Sequence, residues 1–217
     1  MRSYGDPCGI ARGLDLIGER WALLVVRELL LGPKRFTDLR AGLPAASPNV
    51  LSQRLRELED SGVVGRRRLD PPAATWVYEL TGWGRELEPV LLHLGRWGSQ
   101  VEATATAEMS ADALMIALKT AFDPAAAGDL RARYGIRLGD AAYRVAVDGG
   151  RLDIVRGSAD RPDAAVETDV TTLRGLAFRR RTLDEAEHAG TVTVGGDRRA
   201  VVRLLGLFPP PHQPAPP

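Results

Sequence analysis

The chain has 217 residues, 29 basic against 28 acidic side chains, 44% hydrophobic residues and one cysteine. These values exclude a disordered chain, an internal disulfide framework and a polyanion binder recognisable from bulk charge, and they leave room for two domains of about 100 residues each. The longest apolar runs, Trp21 to Val26 and Leu29 to Leu31, fall far short of the ~20 residues that span a bilayer, and the start lacks a signal-peptide core, so a cytoplasmic protein is expected. Charge is uneven along the chain. Residues 34–68 hold eight basic side chains against four acids, whereas the chain after residue 100 holds 15 against 16. A basic stretch of this kind suits docking on phosphate, although on its own it is also an ordinary solvated surface.

In chain order, Asp6-Pro7 reads as a cap and first turn of a helix to about Ile17, broken by Gly18. A second helix carries Trp21, Leu24, Val25, Glu28 and Leu29 and ends at Gly32-Pro33. A third covers Arg35 to Arg40. After a loop, Ser47-Pro48 opens a fourth helix that runs to Asp60 and stops at Ser61-Gly62. The period then changes to two. Val63–Leu69 and Thr75–Leu80 form a hairpin, and Thr81 caps a long fifth helix reaching Val101. This order is that of a winged helix-turn-helix.

Residues 102–109 read as a linker or helix extension. Ser110 caps a helix to Phe122, and Tyr143–Val147 and Leu152–Arg156 form a hairpin around Asp148-Gly149-Gly150. Then come a strand at 164–168, helices at 169–179 and 182–189, a strand at 191–194 and a helix at 198–205. Pro209 to Pro217 is a proline-rich tail.

On a wheel of about 100° per residue, Leu51, Leu55 and Leu58 of the fourth helix share one face. Asn49, Ser52, Gln53 and Arg56 lie opposite, a face of amide, hydroxyl and guanidinium groups without an acid. Such groups match base edges in the major groove: Arg56 suits guanine, Asn49 or Gln53 adenine. Ser47 and the first-turn amides suit a phosphate. Lys34 and Arg35, at the start of the third helix, and Arg54 complete the expected DNA-facing set with the hairpin's Arg66 and Arg68, which alternation places opposite Arg67. The hairpin arginines have a second reading, as edge charges that discourage aggregation.

Two segments carry a family resemblance. CGIARGLDLIGERWALLVVRELLLGPKRFTDLRAGLPAASPNVLSQRLRELEDSGVVGRR with WVYELTGWGRELEPVLLHLGRW resembles the HxlR family of bacterial regulators over about Cys8 to Trp97. The resemblance implies homodimers built from the first and fifth helices on a two-fold-related DNA site. The surplus apolar surface of the fifth helix (Leu87, Val90, Leu91, Leu94, Trp97) agrees with it. Cys8, at about the second position of the first helix, where thiolates are favoured in general, corresponds to an oxidant-sensing cysteine in some relatives; as the lone cysteine it reads first as a small buried residue at the dimer interface.

In the second half, YRVAVDGGRLDIVRG, PDAAVETDVTTLRGLAF and LDEAEHAGTVTVGGDRRAVVRLLGLF resemble the sterol-carrier-protein-2-like (SCP2-like) fold. That resemblance implies a curved sheet covered by helices on one face around an apolar cavity. Leu114, Leu118, Phe122, Tyr143, Leu173, Leu176, Phe178, Leu204, Leu205 and Phe208 are candidates for its lining or plain core. His93, His188 and His212 are scattered and no phosphate-binding glycine loop is present, so neither enzyme, metal nor cofactor is expected.

The fold class expected is therefore α+β, with a DNA-binding and dimerisation domain at 1–103, a ligand-binding domain at 104–208 and a tail at 209–217. The expected function is a sequence-specific DNA-binding transcriptional regulator, a repressor controlled by a small apolar ligand. The alternatives are a redox regulator acting through Cys8 and a lipid- or acyl-binding protein with a vestigial helix-turn-helix.

Overall fold

A computed structural model describes residues 3–101 and 109–209. The expected linker at 102–109 and the proline-rich tail lie, all but Met109 and Pro209, outside the described residues. Two compact units divide between Leu91 and Leu92. Among the described residues, no helix is long and apolar enough to cross a membrane.

The first unit begins with α1 (Gly9–Ile17), α2 (Ala22–Leu29) and α3 (Phe36–Gly42). Next come α4 (Pro48–Asp60), the antiparallel hairpin β1 (Val64–Arg68) and β2 (Trp76–Leu80), and α5 (Gly82–Arg85). Its core joins Val25, Val26 and Leu29 of α2 to Leu39 of α3, Leu51, Leu55 and Leu58 of α4, and Val64 and Leu80 of the hairpin. Ser47 caps α4 by accepting from the Val50 N–H at 3.3 Å, with Pro48 at the first turn. The long fifth helix expected from Thr81 is interrupted at Glu86 and resumes as α6 (Leu87–Gly98). The cause is Pro89, which has no N–H to return to the Arg85 carbonyl.

The second unit contains α7 (Ala111–Ala121), α8 (Pro124–Ala127), β3 (Arg131–Leu138), β4 (Ala141–Asp148), β5 (Arg151–Arg156) and β6 (Ala164–Thr168). α9 (Val170–Ala177), α10 (Leu183–His188), β7 (Val192–Gly196) and α11 (Arg198–Gly206) complete it. The sheet order is β5-β4-β3-β6-β7, with β3 and β6 parallel and the other pairs antiparallel. The sequence reading left β3 unassigned, yet it is the central strand. Ala132, Tyr134, Ile136 and Leu138 alternate inward, between arginines and Gly135 that weaken the strand signal.

Candidate nucleic-acid interface

α4 is tied down on one side only. Leu51, Leu55 and Leu58 are at most 1% exposed, while Asn49, Gln53 and Arg56 are exposed and Ser52 is half-buried. The contacts of the outward groups stay within the helix: Gln53 Nε2 donates to Glu57 Oε1 at 3.0 Å, and Arg56 Nε donates to the Ser52 carbonyl at 3.4 Å. A rigid helix thus holds amide, hydroxyl and guanidinium groups toward solvent, the chemistry that reads base edges. Ser47 is exposed, its hydroxyl oxygen engaged as the helix cap.

Two residues of the expected set turn inward. Lys34 is buried, its ammonium 2.5 Å from the carboxylate of the fully buried Glu28, which also receives Arg27 at 2.8 Å. The Lys34 backbone exchanges hydrogen bonds with Tyr78 at 2.9 and 2.8 Å, adding a rung beside the hairpin. The pair sits under Gly42, where an added Cβ would collide with the Glu28 carboxylate. Lys34 is therefore an anchor, and a DNA contact from it would take from the buried Glu28 carboxylate its buried cationic partner. Arg54 is likewise buried, paired with Glu57 and lying 3.8 Å from Glu19. Burying a guanidinium requires such partners, which removes it from the outward face.

Arg35 remains exposed but is gripped by Asp38. Its Nε and Nη2 donate to the carboxylate at 3.0 and 2.9 Å, and its N–H donates to the same group at 3.1 Å, capping α3. The guanidinium hydrogen bond is the main cause that holds the Asp38 carboxyl below its usual range. On the hairpin, Arg66, Arg67 and Arg68 are all exposed. Arg67 is neutralised by Glu79 at 2.9 Å. Burial holds the Glu59 carboxyl above its usual range, and the charge of Arg66 offsets part of that.

Cys8 is exposed and is the N-cap of α1 rather than its second residue, its N–H donating to Asp6 Oδ1 at 2.8 Å. Along α6 and its extension, Val90, Leu94, Trp97 and Val101 follow helical spacing and are 43% to 70% exposed, an apolar stripe left substantially open to solvent. Ile10 and Leu14 of α1 are exposed as well.

In the second unit the ten expected lining residues form one packed core: eight are buried, and Phe178 and Leu205 are half-buried. A concavity of about 310 Å3 lies instead on the sheet's outer face, over Gly135, Arg137, Ala165, Glu167 and Gly195, and shares only Tyr143 with the expected set. The sequence reading missed the polar group inside this core. Asp112, 1% exposed, accepts from Tyr143 Oη at 2.5 Å and pairs with Arg156. Its signal was an acid in the first turn of a helix whose next six residues, Ala113 to Leu118, are all apolar. Burial pushes the Tyr134 phenol up, and its hydroxyl has no hydrogen-bond partner among the described residues.

A helix pair, a two-stranded wing and an outward polar recognition face define a helix-turn-helix protein. The chain belongs to the HxlR-like helix-turn-helix family through residues 16–105 and to the alkyl sulfatase C-terminal family through residues 99–214. The second description differs from the sterol-carrier resemblance read in the sequence. The chain is similar to the uncharacterized HTH-type transcriptional regulator YvaP of Bacillus subtilis, 38% identical over 89 residues, 41% of this chain and 82% of the relative. The HTH-type transcriptional regulator YodB of the same organism is 35% identical over 86 residues, 40% of this chain and 77% of that protein. Among solved structures, one described as "Redox regulator HypR in its oxidized form" is 34% identical with a TM-score of 0.40, covering 45% of this chain and 100% of that one.

Proposed function

We propose that the chain is a dimeric, sequence-specific DNA-binding regulator, with α4 in the major groove and the hairpin along the adjacent backbone. The observation that carries this reading is the two-faced α4: three buried leucines behind Asn49, Ser52, Gln53 and Arg56. Family membership and the regulators among its relatives support it. The exposed α6 stripe supports a two-fold dimer, as the family resemblance implies, and such a dimer reads two half-sites. In the test, the full chain selects duplexes from a randomised library, and mobility shifts then compare a selected duplex with its scrambled form. The expected result is enrichment of a two-fold-related sequence that Arg56→Ala no longer discriminates at one position; equal binding to both duplexes would refute the reading.

The same proposal assigns residues 1–103 to DNA binding and dimerisation and residues 104–208 to an SCP2-like domain that holds a small apolar effector and lowers repressor occupancy. Its support is a five-stranded sheet with one strongly apolar face under helices. The effector acts only if it favours one dimer arrangement over another. Palmitate and a fluorescent fatty-acid analogue, added to the mobility shift, test this part: release of the duplex supports it, and no binding of the analogue refutes it. A redox reading is favoured by one observation, the exposed Cys8 thiol at the start of α1. It requires oxidant to release the duplex and Cys8→Ser to abolish that release.

A further inference from the structure

The hairpin has two differently built faces. Antiparallel pairing sets Arg66 opposite Tyr78, Arg67 opposite Val77 and Arg68 opposite Trp76. Arg67 therefore shares a face with Glu79, which neutralises it, and with the buried Val77. The other face carries Arg66, Arg68, Trp76 and Tyr78. There the Arg66 guanidinium lies 4.6 Å from the centre of the Trp76 ring and 5.7 Å from that of Tyr78. Arg68 donates to the Ala74 carbonyl at 3.4 Å, so part of its capacity is used at the hairpin tip. Arg66 makes no hydrogen bond or ion pair among the described residues; its guanidinium lies against the two rings, and its charge also acts on the Glu59 carboxyl. Trp76 remains 49% exposed. The platform is also fixed in place, because Tyr78 exchanges two backbone hydrogen bonds with Lys34, whose ammonium is held by the buried Glu28.

We propose that Trp76 is a positioning residue for DNA binding: it holds the Arg66 guanidinium against its ring so that one N–H edge is presented to a backbone phosphate beside the groove read by α4. This inference rests on the proposed DNA binding and adds to it a residue outside the expected DNA-facing set. Three physical points support it. A cation stacked on an aromatic face keeps its N–H groups free in the ring plane's direction, unlike one paired with a carboxylate. Tryptophan is the strongest such partner. An arginine already held in one extended form loses less freedom on binding than a free one. An edge-strand charge serving solubility alone needs no ring beneath it.

The test is a double-mutant cycle on the full chain, using the duplex it selects and a scrambled duplex across a range of salt. Arg66→Ala should weaken both duplexes about tenfold and reduce the salt slope by about one phosphate contact. Trp76→Ala should weaken both by the same factor, about fivefold, and should add nothing in the Arg66→Ala background. Trp76→Phe, which keeps a ring, should recover most of the loss. Thermal melting of each variant separates loss of fold from loss of binding, and where Trp76→Ala fails to fold, the cycle is read with Trp76→Phe and Trp76→Leu. An unchanged affinity, or a Trp76 effect that persists in full without Arg66, overturns the inference while leaving the proposed function intact. A wild-type chain that prefers no duplex overturns the proposed function instead.

Discussion

In the first unit the side chains that matter most for the proposed function, Asn49, Gln53 and Arg56, are exposed and touch only their own helix. In the second unit the polar groups that stand out are the buried Asp112 and Tyr143, which bind each other and hold the more exposed Arg156. Exposed donors and acceptors engaged only within their own rigid helix are available to a macromolecule at little cost, whereas a carboxylate buried with its partners stabilises packing and is released only at a larger one. The first unit thus presents a ready surface, whereas the second keeps its buried polar groups engaged with one another.

The largest effect expected from this contrast is in the second unit. Asp112→Ala, which leaves the buried Tyr143 hydroxyl without this acceptor and Arg156 without its partner, should cost about 2–3 kcal/mol of stability in urea denaturation. A loss near zero would break the contrast. Trp97→Ala should weaken the dimer by about 2 kcal/mol, seen in sedimentation equilibrium, because it removes the largest side chain of the exposed α6 stripe. Unchanged assembly would place the dimer contact elsewhere. Arg56→Ala should leave stability unaltered, since the side chain is exposed, yet reduce discrimination at one base position by about 1–2 kcal/mol in mobility shifts.

The smallest effect sharpens the account of α3. The Asp38 carboxyl is held below its usual range chiefly by the Arg35 guanidinium. A depressed carboxyl stabilises the fold above its unfolded pKa of about 4 and loses that contribution as pH falls through the lower folded value. Asp38→Ala should therefore cost about 0.5 kcal/mol at neutral pH and progressively less in acid, measured by urea denaturation at several pH values. A cost that grows in acid would contradict the assignment.

Much of the first unit was legible because its signals are local. Ser47-Pro48 starts α4 and Ser61-Gly62 ends it, and the leucine stripe fixes which side faces out. Lys34 was misplaced because its fate depends on pairing with Tyr78 across the fold and on a carboxylate in another helix, neither of which its neighbours in sequence reveal. Arg54 had a sign that went unused: on the wheel it flanks Leu51 and Leu58 rather than the polar face. The second unit was harder for a physical reason. Apolar residues lining a cavity and apolar residues filling a core have the same pattern, so Leu114, Leu173 and Leu204 looked alike under both readings. β3 escaped because arginines at its outward positions and Gly135 at its middle dilute the strand composition.

The claim on which the account depends is that the outward face of α4 reads base edges. Dimethyl sulfate protection of guanine N7, the major-groove acceptor, by the full chain on its selected duplex addresses it directly. The predicted result is two protected half-sites about one helical turn apart, with protection at one base pair per half-site relaxed by Arg56→Ala. Uniform protection along the duplex, unchanged by that substitution, would contradict it.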